Sequence, residues 1–184
     1  GLTLDDEIKS LEILKKINND LDIDIIPTFL GAHTIPNEFR NNRNAYINLI
    51  CNEMIPAVAK DNLAVFCDVF CEEGYFNIIE SKKILNVAKS FGLIPKIHAD
   101  EFKYFGASKL AKDIGAISAD HLMAISNEGI DALSSSNVIA TLLPGTTFFL
   151  RKKSYADGRV LIDRGCEVSL ATDFNPGTCT IRSL

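Results

Sequence analysis

Short apolar runs rich in β-branched residues alternate with segments of helical periodicity along the whole sequence. Most of these runs are apolar on both faces, which is typical of parallel strands covered by helices. Six strands are predicted, at residues 23–29, 63–70, 93–98, 116–120, 138–143 and 167–172. Strands and helices that alternate through short turns predict right-handed βαβ units, and therefore an α/β fold with a parallel sheet.

The ends of several helices are marked in the sequence. Thr3 followed by Asp6 predicts an N-terminal cap for the first helix. A second helix has an apolar stripe made of Ile47, Ile50, Cys51, Met54 and Val58. Three later helices are each predicted to end at a left-handed glycine, namely Gly92, Gly115 and Gly165. No linker or low-complexity segment interrupts the pattern, so residues 1–184 are predicted to form a single domain with no internal boundary.

Two architectures fit this pattern, an open doubly wound sheet and a (β/α)8 barrel. A full barrel takes about 250 residues and eight strands, whereas this chain has 184 residues. Length therefore favours the open sheet, and a barrel requires that strands are missing.

Composition excludes several classes of function. The net charge is −5 and the longest basic cluster is Arg151-Lys152-Lys153, so a nucleic-acid partner is not expected. The apolar runs are too short for a membrane span of about 20 residues, and acidic residues stand where a signal peptide carries positive charge. Five cysteines without paired spacing are expected to be buried thiols. The sequence thus predicts a cytoplasmic protein with no membrane partner.

Ionisable residues gather where the predicted strands end. His33, His98 and His121 are the three histidines, and each lies at such an end, as does Asp173. Each has an ordinary alternative, because aspartate often caps helices and an Asn-Pro-Gly segment such as 175–177 is common in turns. Catalytic residues of parallel α/β folds collect at this edge, so the whole set predicts a functional site.

These residue types suit metal-assisted hydrolysis. An imidazole and a carboxylate can share a cation, and His98 and Asp173 are the plausible ligand pair. Glu101 could reach a substrate, and His121 could orient the nucleophilic water or carry its proton. Two ligands are too few for a tight site, so either this interpretation is wrong or the other ligands lie outside the chain.

Six segments together resemble the strand-end motifs of the imidazolonepropionases, the amidohydrolase-superfamily enzymes of histidine degradation. They are LGAH, DVFCEEGYF, KIHADE, SADHL, LLPGTTFFL and LATDFNPGT, and the resemblance runs from Gly1 almost to the last residue. It implies a metal-dependent barrel with one iron or zinc ion. The implied reaction is hydrolysis of the cyclic amide 4-imidazolone-5-propanoate to N-formimidoyl-L-glutamate.

The resemblance also implies roles for individual residues. His98 and Asp173 would bind the metal, and His121 would join Asp173 in activating the water. Contacts with the small-molecule substrate would come from five residues, namely His33, Glu101, Asn175, Gly177 and Thr178. The catalytic set is then Glu101, His121 and Asp173.

The sequence departs from the family pattern at its start. The family's small β-rich domain and its first strand with a His-x-His metal pair have no counterpart here. The six strands are then expected to be strands three to eight of a partial barrel, and the remaining metal ligands to lie outside the chain. The chain alone is expected to be inactive, to bind metal weakly, and to pair its exposed strand edges in a homodimer.

Two other functions remain open at this point. The chain could belong to a related amidohydrolase that acts on another cyclic amide or a deaminable ring. It could also be a non-catalytic α/β module that only binds a ligand. Imidazole and carboxylate ligands suit both iron and zinc, so the choice of metal also stays open.

Overall fold

The computed structural model describes residues 1–183. These residues contain six β-strands and eight α-helices in alternation along the chain. The chain divides into two compact units, Gly1–Lys96 and Ile97–Leu184. The division falls inside the third strand, so each unit is described in turn.

The first unit is built from βα repeats that follow an N-terminal helix. Its elements are α1 (Leu4–Asp20), β1 (Thr28–Ala32), α2 (Arg43–Leu49), α3 (Ile55–Lys60), β2 (Phe66–Cys71), α4 (Ile78–Ser90) and the start of β3 (Ile94–Ala99). β1 pairs with β2 in parallel. At the start of β3, the Ile94 N–H donates to the Val65 carbonyl at 2.9 Å. Neighbours in this part of the sheet are therefore also neighbours in the sequence, as βαβ units require.

The second unit continues the same pattern. After the end of β3 it contains α5 (Ala107–Ile114), β4 (Ser118–His121), α6 (Asn127–Ser134), β5 (Ile139–Leu142), α7 (Pro144–Phe149), α8 (Gly158–Asp163) and β6 (Val168–Leu170). β4 pairs with β5 and β5 with β6, both in parallel. The predicted parallel α/β arrangement is confirmed in this unit as well.

Five of the six predicted strands lie within a few residues of the observed ones, but the prediction for the first strand is wrong. Residues 23–29 were expected to be extended, whereas β1 is Thr28–Ala32. Ile23 and Ile26 are 62% and 57% exposed, so this apolar run does not enter the core. Pro27 has no N–H to donate to the backbone hydrogen bonds of a sheet, and the strand begins only after this residue.

The predicted helix ends are confirmed. The Thr3 hydroxyl oxygen accepts a hydrogen bond from the Asp6 N–H at 3.1 Å. The three predicted glycines have φ values of +86° at Gly92, +66° at Gly115 and +84° at Gly165. None of the described helices is both long enough and apolar enough to cross a membrane.

The second predicted helix is interrupted in the middle. Between α2 and α3 lies a π-helical turn, Ile50–Met54. Pro56 has no N–H and its ring would clash with the carbonyl four residues earlier, so a wider turn accommodates it. The predicted stripe is nevertheless buried at all five positions, Ile47, Ile50, Cys51, Met54 and Val58.

The five cysteines behave as small apolar residues. All of them, Cys51, Cys67, Cys71, Cys166 and Cys179, are free thiols and buried. Burial raises the pKa of the Cys67 thiol well above its ordinary value. It raises the pKa values of the Cys51 and Cys166 thiols as well. The prediction of unpaired, buried cysteines is therefore confirmed.

Candidate functional site

In the second unit, the ends of β3 and β4 bring three of the predicted residues together. Burial alternates along β3, so Ile97 and Ala99 point into the core while His98 lies half-buried on the other face. His121 is the last residue of β4 and is buried. The imidazole rings of His98 and His121 have centroids 4.9 Å apart and are tilted by 47°. Two neighbouring parallel strands thus place two imidazoles side by side.

Glu101 lies beside the same histidine pair. Its Oε1 atom is 3.7 Å from Nδ1 of His121, and the side chains are 6% and 3% exposed. This distance is longer than a hydrogen bond but allows an ionic contact when the imidazole is protonated. A buried carboxylate next to an imidazole is an arrangement that can support proton transfer.

Asp173 lies beyond the end of β6, in left-handed backbone with φ +52°. Its Oδ2 atom accepts a hydrogen bond at 2.5 Å from the hydroxyl group of Thr146. Thr146 belongs to the first turn of α7 and is 1% exposed. One carboxylate oxygen of Asp173 is therefore oriented by a buried donor, and sequence analysis did not single out that donor.

The segment after Asp173 is organised by the side chain of Asn175. Its Nδ2 donates to the Asp173 carbonyl at 2.7 Å and to the Thr178 hydroxyl at 2.8 Å. Its Oδ1 accepts from the N–H groups of Gly177 at 2.9 Å and Thr178 at 2.7 Å. The asparagine amide thus forms the hydrogen bonds of its own turn. Contacts of Asn175, Gly177 and Thr178 with a substrate stay predictions.

Two cavities of the second unit adjoin these residues. A cavity of about 240 Å³ is lined by Glu101, Phe102, Met123, Ala124, Lys152, Lys153 and Ser154. The Lys152 ammonium lies 4.5 Å from the centroid of the Phe102 ring. A smaller cavity of about 70 Å³ contains His121 among mainly apolar neighbours. Two of the predicted catalytic residues, Glu101 and His121, therefore each line a cavity.

Left-handed backbone recurs at these strand ends. Four non-glycine residues of the second unit that follow or end strands have positive φ, namely Asp100 (+47°), His121 (+79°), Leu122 (+61°) and Asp173 (+52°). Such conformations are uncommon for residues with a Cβ atom and tend to occur where function requires a side chain in a particular place. Their position at the ends of β3, β4 and β6 is consistent with a functional edge.

In the first unit, His33 follows β1 directly, at the strand end predicted for it. Its Nε2 atom is 3.9 Å from Oδ2 of Asp68, a buried carboxylate within β2. Sequence analysis missed Asp68, although an acid inside the apolar run VFCDVF was the signal that could have found it. An imidazole close to a buried carboxylate has the donor types of a metal or proton-transfer site.

Comparison with known proteins gives close relatives. No family model matches the chain. It is 50% identical over 184 residues to the imidazolonepropionase of Brevibacillus brevis, covering 100% of this chain and 43% of that protein. It is 49% identical over 181 residues to that of Bacteroides fragilis, covering 97% and 43%.

The chain is a relative of the imidazolonepropionases. It spans less than half the length of the curated imidazolonepropionases it matches. The predicted family resemblance is confirmed by these alignments, which cover 97–100% of the chain at 49–50% identity.

Solved structures show the fold of this imidazolonepropionase relative. Guanine deaminase from C. acetobutylicum matches with a TM-score of 0.71 at 16% identity, over 97% of this chain and 46% of that one. 5-Methylcytosine deaminase from Klebsiella pneumoniae matches with a TM-score of 0.68 at 14% identity, over 92% and 46%. The match to about half of each structure confirms the predicted fold class, part of an amidohydrolase-type (β/α)8 barrel.

Proposed function

We propose that the complete protein carrying this chain hydrolyses 4-imidazolone-5-propanoate to N-formimidoyl-L-glutamate in histidine degradation. The observation that carries this proposal is the identity of 46–50% with proteins named imidazolonepropionase, extending over 97–100% of the chain. Because the chain spans less than half of those relatives, the reaction is proposed for the complete protein and not for this chain alone.

A metal ion is part of the proposal. His98 and Asp173 would hold it, and further ligands would come from outside this chain. The donor types support this assignment, because an imidazole and a carboxylate suit both iron and zinc. The hydrogen bond from Thr146 to Asp173 is the kind of contact that orients a metal-ligating carboxylate. When bound, one such ion would lower the pKa of water and stabilise negative charge on the reacting carbonyl.

The other residues of the second unit would bind the substrate and move protons. Asp173 and His121 would accept the proton of the attacking water, and His121 is placed beside Glu101 at 3.7 Å. Glu101 lines the cavity of about 240 Å³ and would accept hydrogen bonds from the ring N–H groups of the substrate. Substrate contacts from His33, Asn175, Gly177 and Thr178 complete the proposal. A homodimer and a cytoplasmic location stay predictions.

Turnover of imidazolone propanoate by the complete protein tests this function. Loss of the substrate's ultraviolet absorbance should require iron or zinc, should stop after chelation, and should return when the metal is added back. His121→Ala should lower kcat by about 10²- to 10⁴-fold, the range typical of a lost acid–base group. Asp163→Asn is the matched control, because that carboxylate is 65% exposed.

Parallel assays with guanine, adenosine and 5-methylcytosine separate this function from a related one. Turnover of one of these rings with no turnover of imidazolone propanoate would replace the proposed substrate by a deaminable ring. A protein that turns over none of them and holds no metal would contradict the enzymatic proposal as a whole.

A further inference from the structure

Asp100 stands in the KIHADE segment between His98 and Glu101, and the proposed function gives it no role. Its side chain is completely buried, with 0% exposure. Its backbone is left-handed, with φ +47°. A buried carboxylate in such backbone is costly unless the surrounding structure binds it, so its partners indicate what it does.

The partners of the Asp100 carboxylate are backbone N–H groups at the start of α5. Oδ1 accepts from Phe105 at 2.8 Å and from Ala107 at 3.1 Å, and Oδ2 accepts from Ser108 at 3.2 Å. The residue that precedes α5 is Gly106, which has no side chain to accept these N–H groups. Asp100 thus replaces a local cap, and its charge also interacts favourably with the positive end of the helix dipole.

The backbone around Asp100 connects to the segment after β4. The Ala124 N–H donates to the Asp100 carbonyl at 2.8 Å, and the Leu122 N–H donates to the Ala99 carbonyl at 3.1 Å. The end of β3 is therefore held to α5 by the Asp100 side chain and to the end of β4 by main-chain hydrogen bonds.

We propose that Asp100 is a positioning residue that sets the spacing between Glu101 and His121. Glu101 follows Asp100 directly and His121 precedes Leu122 directly, so both catalytic candidates lie beside the anchored backbone. The distance of 3.7 Å between Glu101 Oε1 and His121 Nδ1 depends on that anchor. The spacing is a property of this chain, and only the kinetic consequence of losing it rests on the proposed function.

Two substitutions distinguish the effect of losing the Asp100 carboxylate from the effect of straining its left-handed backbone. Asp100→Gly removes the side chain, while glycine adopts left-handed backbone without strain. Asp100→Asn also tolerates this backbone and keeps one oxygen for the Phe105 and Ala107 N–H groups, so its effect should be smaller. Asp157→Asn is the matched control, because Asp157 Oδ1 caps a different helix, α8, through the Val160 N–H at 3.0 Å.

NMR of the isotope-labelled histidine side chains tests the spacing through the environment of each imidazole ring. The chain has only three histidines, so the spectrum is simple. In Asp100→Gly, the ring resonances of His121 should shift or broaden, whereas those of His33 in the first unit should stay in place. Asp157→Asn should leave all three unchanged. Unchanged His121 resonances in a folded Asp100→Gly protein would overturn the proposal, and folding is checked by circular dichroism.

Kinetics of the complete protein provide the second readout. Loss of folded enzyme alone lowers kcat and leaves KM unchanged. A misplaced Glu101 should instead raise KM for imidazolone propanoate while kcat falls, with a combined loss of about 100-fold in kcat/KM. An unchanged KM would overturn the positioning role. If the wild type does not turn over this substrate, the proposed function fails and the NMR result still decides the role of Asp100.

Discussion

At the scale of single residues, Tyr46 shows how a polar group is accommodated in the core of the first unit. It is the largest fully buried side chain, and its hydroxyl group donates to the Gly31 carbonyl at 2.8 Å. Burial raises the pKa of Tyr46, and the nearby carboxylates of Glu7 and Glu38 raise it further. The neutral phenol is therefore the form that the fold requires.

Tyr46→Phe should lower the free energy of unfolding by about 1–3 kcal/mol, because the Gly31 carbonyl loses its buried donor. The pH dependence should change as well. In the wild type, the contribution of the Tyr46 phenol to stability is complete below pH about 10, the ordinary pKa of tyrosine. Above that pH this contribution is lost, because the unfolded phenol ionises while the folded one keeps its proton. Denaturant titrations from pH 8 to 11 should show a shallower loss of stability in Tyr46→Phe.

Tyr104→Phe is the control for this experiment, since Tyr104 is 46% exposed. Its stability should follow pH as the wild type does. An equal alkaline loss of stability in Tyr46→Phe and in the wild type would contradict the role given to the buried phenol.

The candidate residues that sequence reasoning singled out differ from those that it missed in how their role is visible. His98, His121 and Asp173 could be singled out as candidates because a polar side chain after an apolar strand is visible in the sequence. Asp100 and Thr146 were missed, because the hydrogen bonds that give them a role are visible only in the folded chain. Asp100, for example, is recognised only through the backbone N–H groups that its carboxylate accepts.

At the scale of elements, α5 and α6 approach each other closely at Gly129. A Cβ atom at this position would lie 2.4 Å from the Ser108 hydroxyl oxygen and 2.8 Å from a side-chain carbon of Ile125. Gly129 therefore permits the contact between the two helices, although glycine is a poor helix former.

Gly129→Ala should destabilise the protein despite its better helix propensity. The better helix propensity of alanine stabilises α6 by about 1 kcal/mol, whereas overpacking the contact between α5 and α6 costs about 1–3 kcal/mol. The Ser108 hydroxyl makes no hydrogen bond within residues 1–183, so Ser108→Ala alone should be nearly neutral. In the double variant, part of the stability should return in chemical denaturation. A Gly129→Ala protein as stable as the wild type would contradict this view of the contact.

Element prediction succeeded where local chemistry determines the structure. The Thr3 cap and the left-handed glycines at 92, 115 and 165 are local features, and they are present as predicted. The start of β1 and the π-helical turn before α3 were not predicted. Both depend on how a proline, Pro27 or Pro56, competes with an otherwise apolar pattern.

At the scale of the whole molecule, sequence length favoured an open sheet and the motifs favoured a partial barrel. The structural matches agree with the motifs, because each covers about half of a larger amidohydrolase-type protein. Length was misleading because an incomplete barrel and a complete open sheet contain similar numbers of strands. The central claim concerns the second unit, where His98, Glu101, His121 and Asp173 would serve one metal-dependent reaction.

Metal binding by the complete protein tests this claim most directly. Competition with a chromophoric chelator should give one tightly bound iron or zinc ion in the wild type. His98→Ala and Asp173→Asn should weaken binding by more than 100-fold, whereas Thr146→Val, which removes only the donor to Asp173, should weaken it by about 10- to 100-fold. Wild-type affinity in Asp173→Asn and His98→Ala would contradict the account.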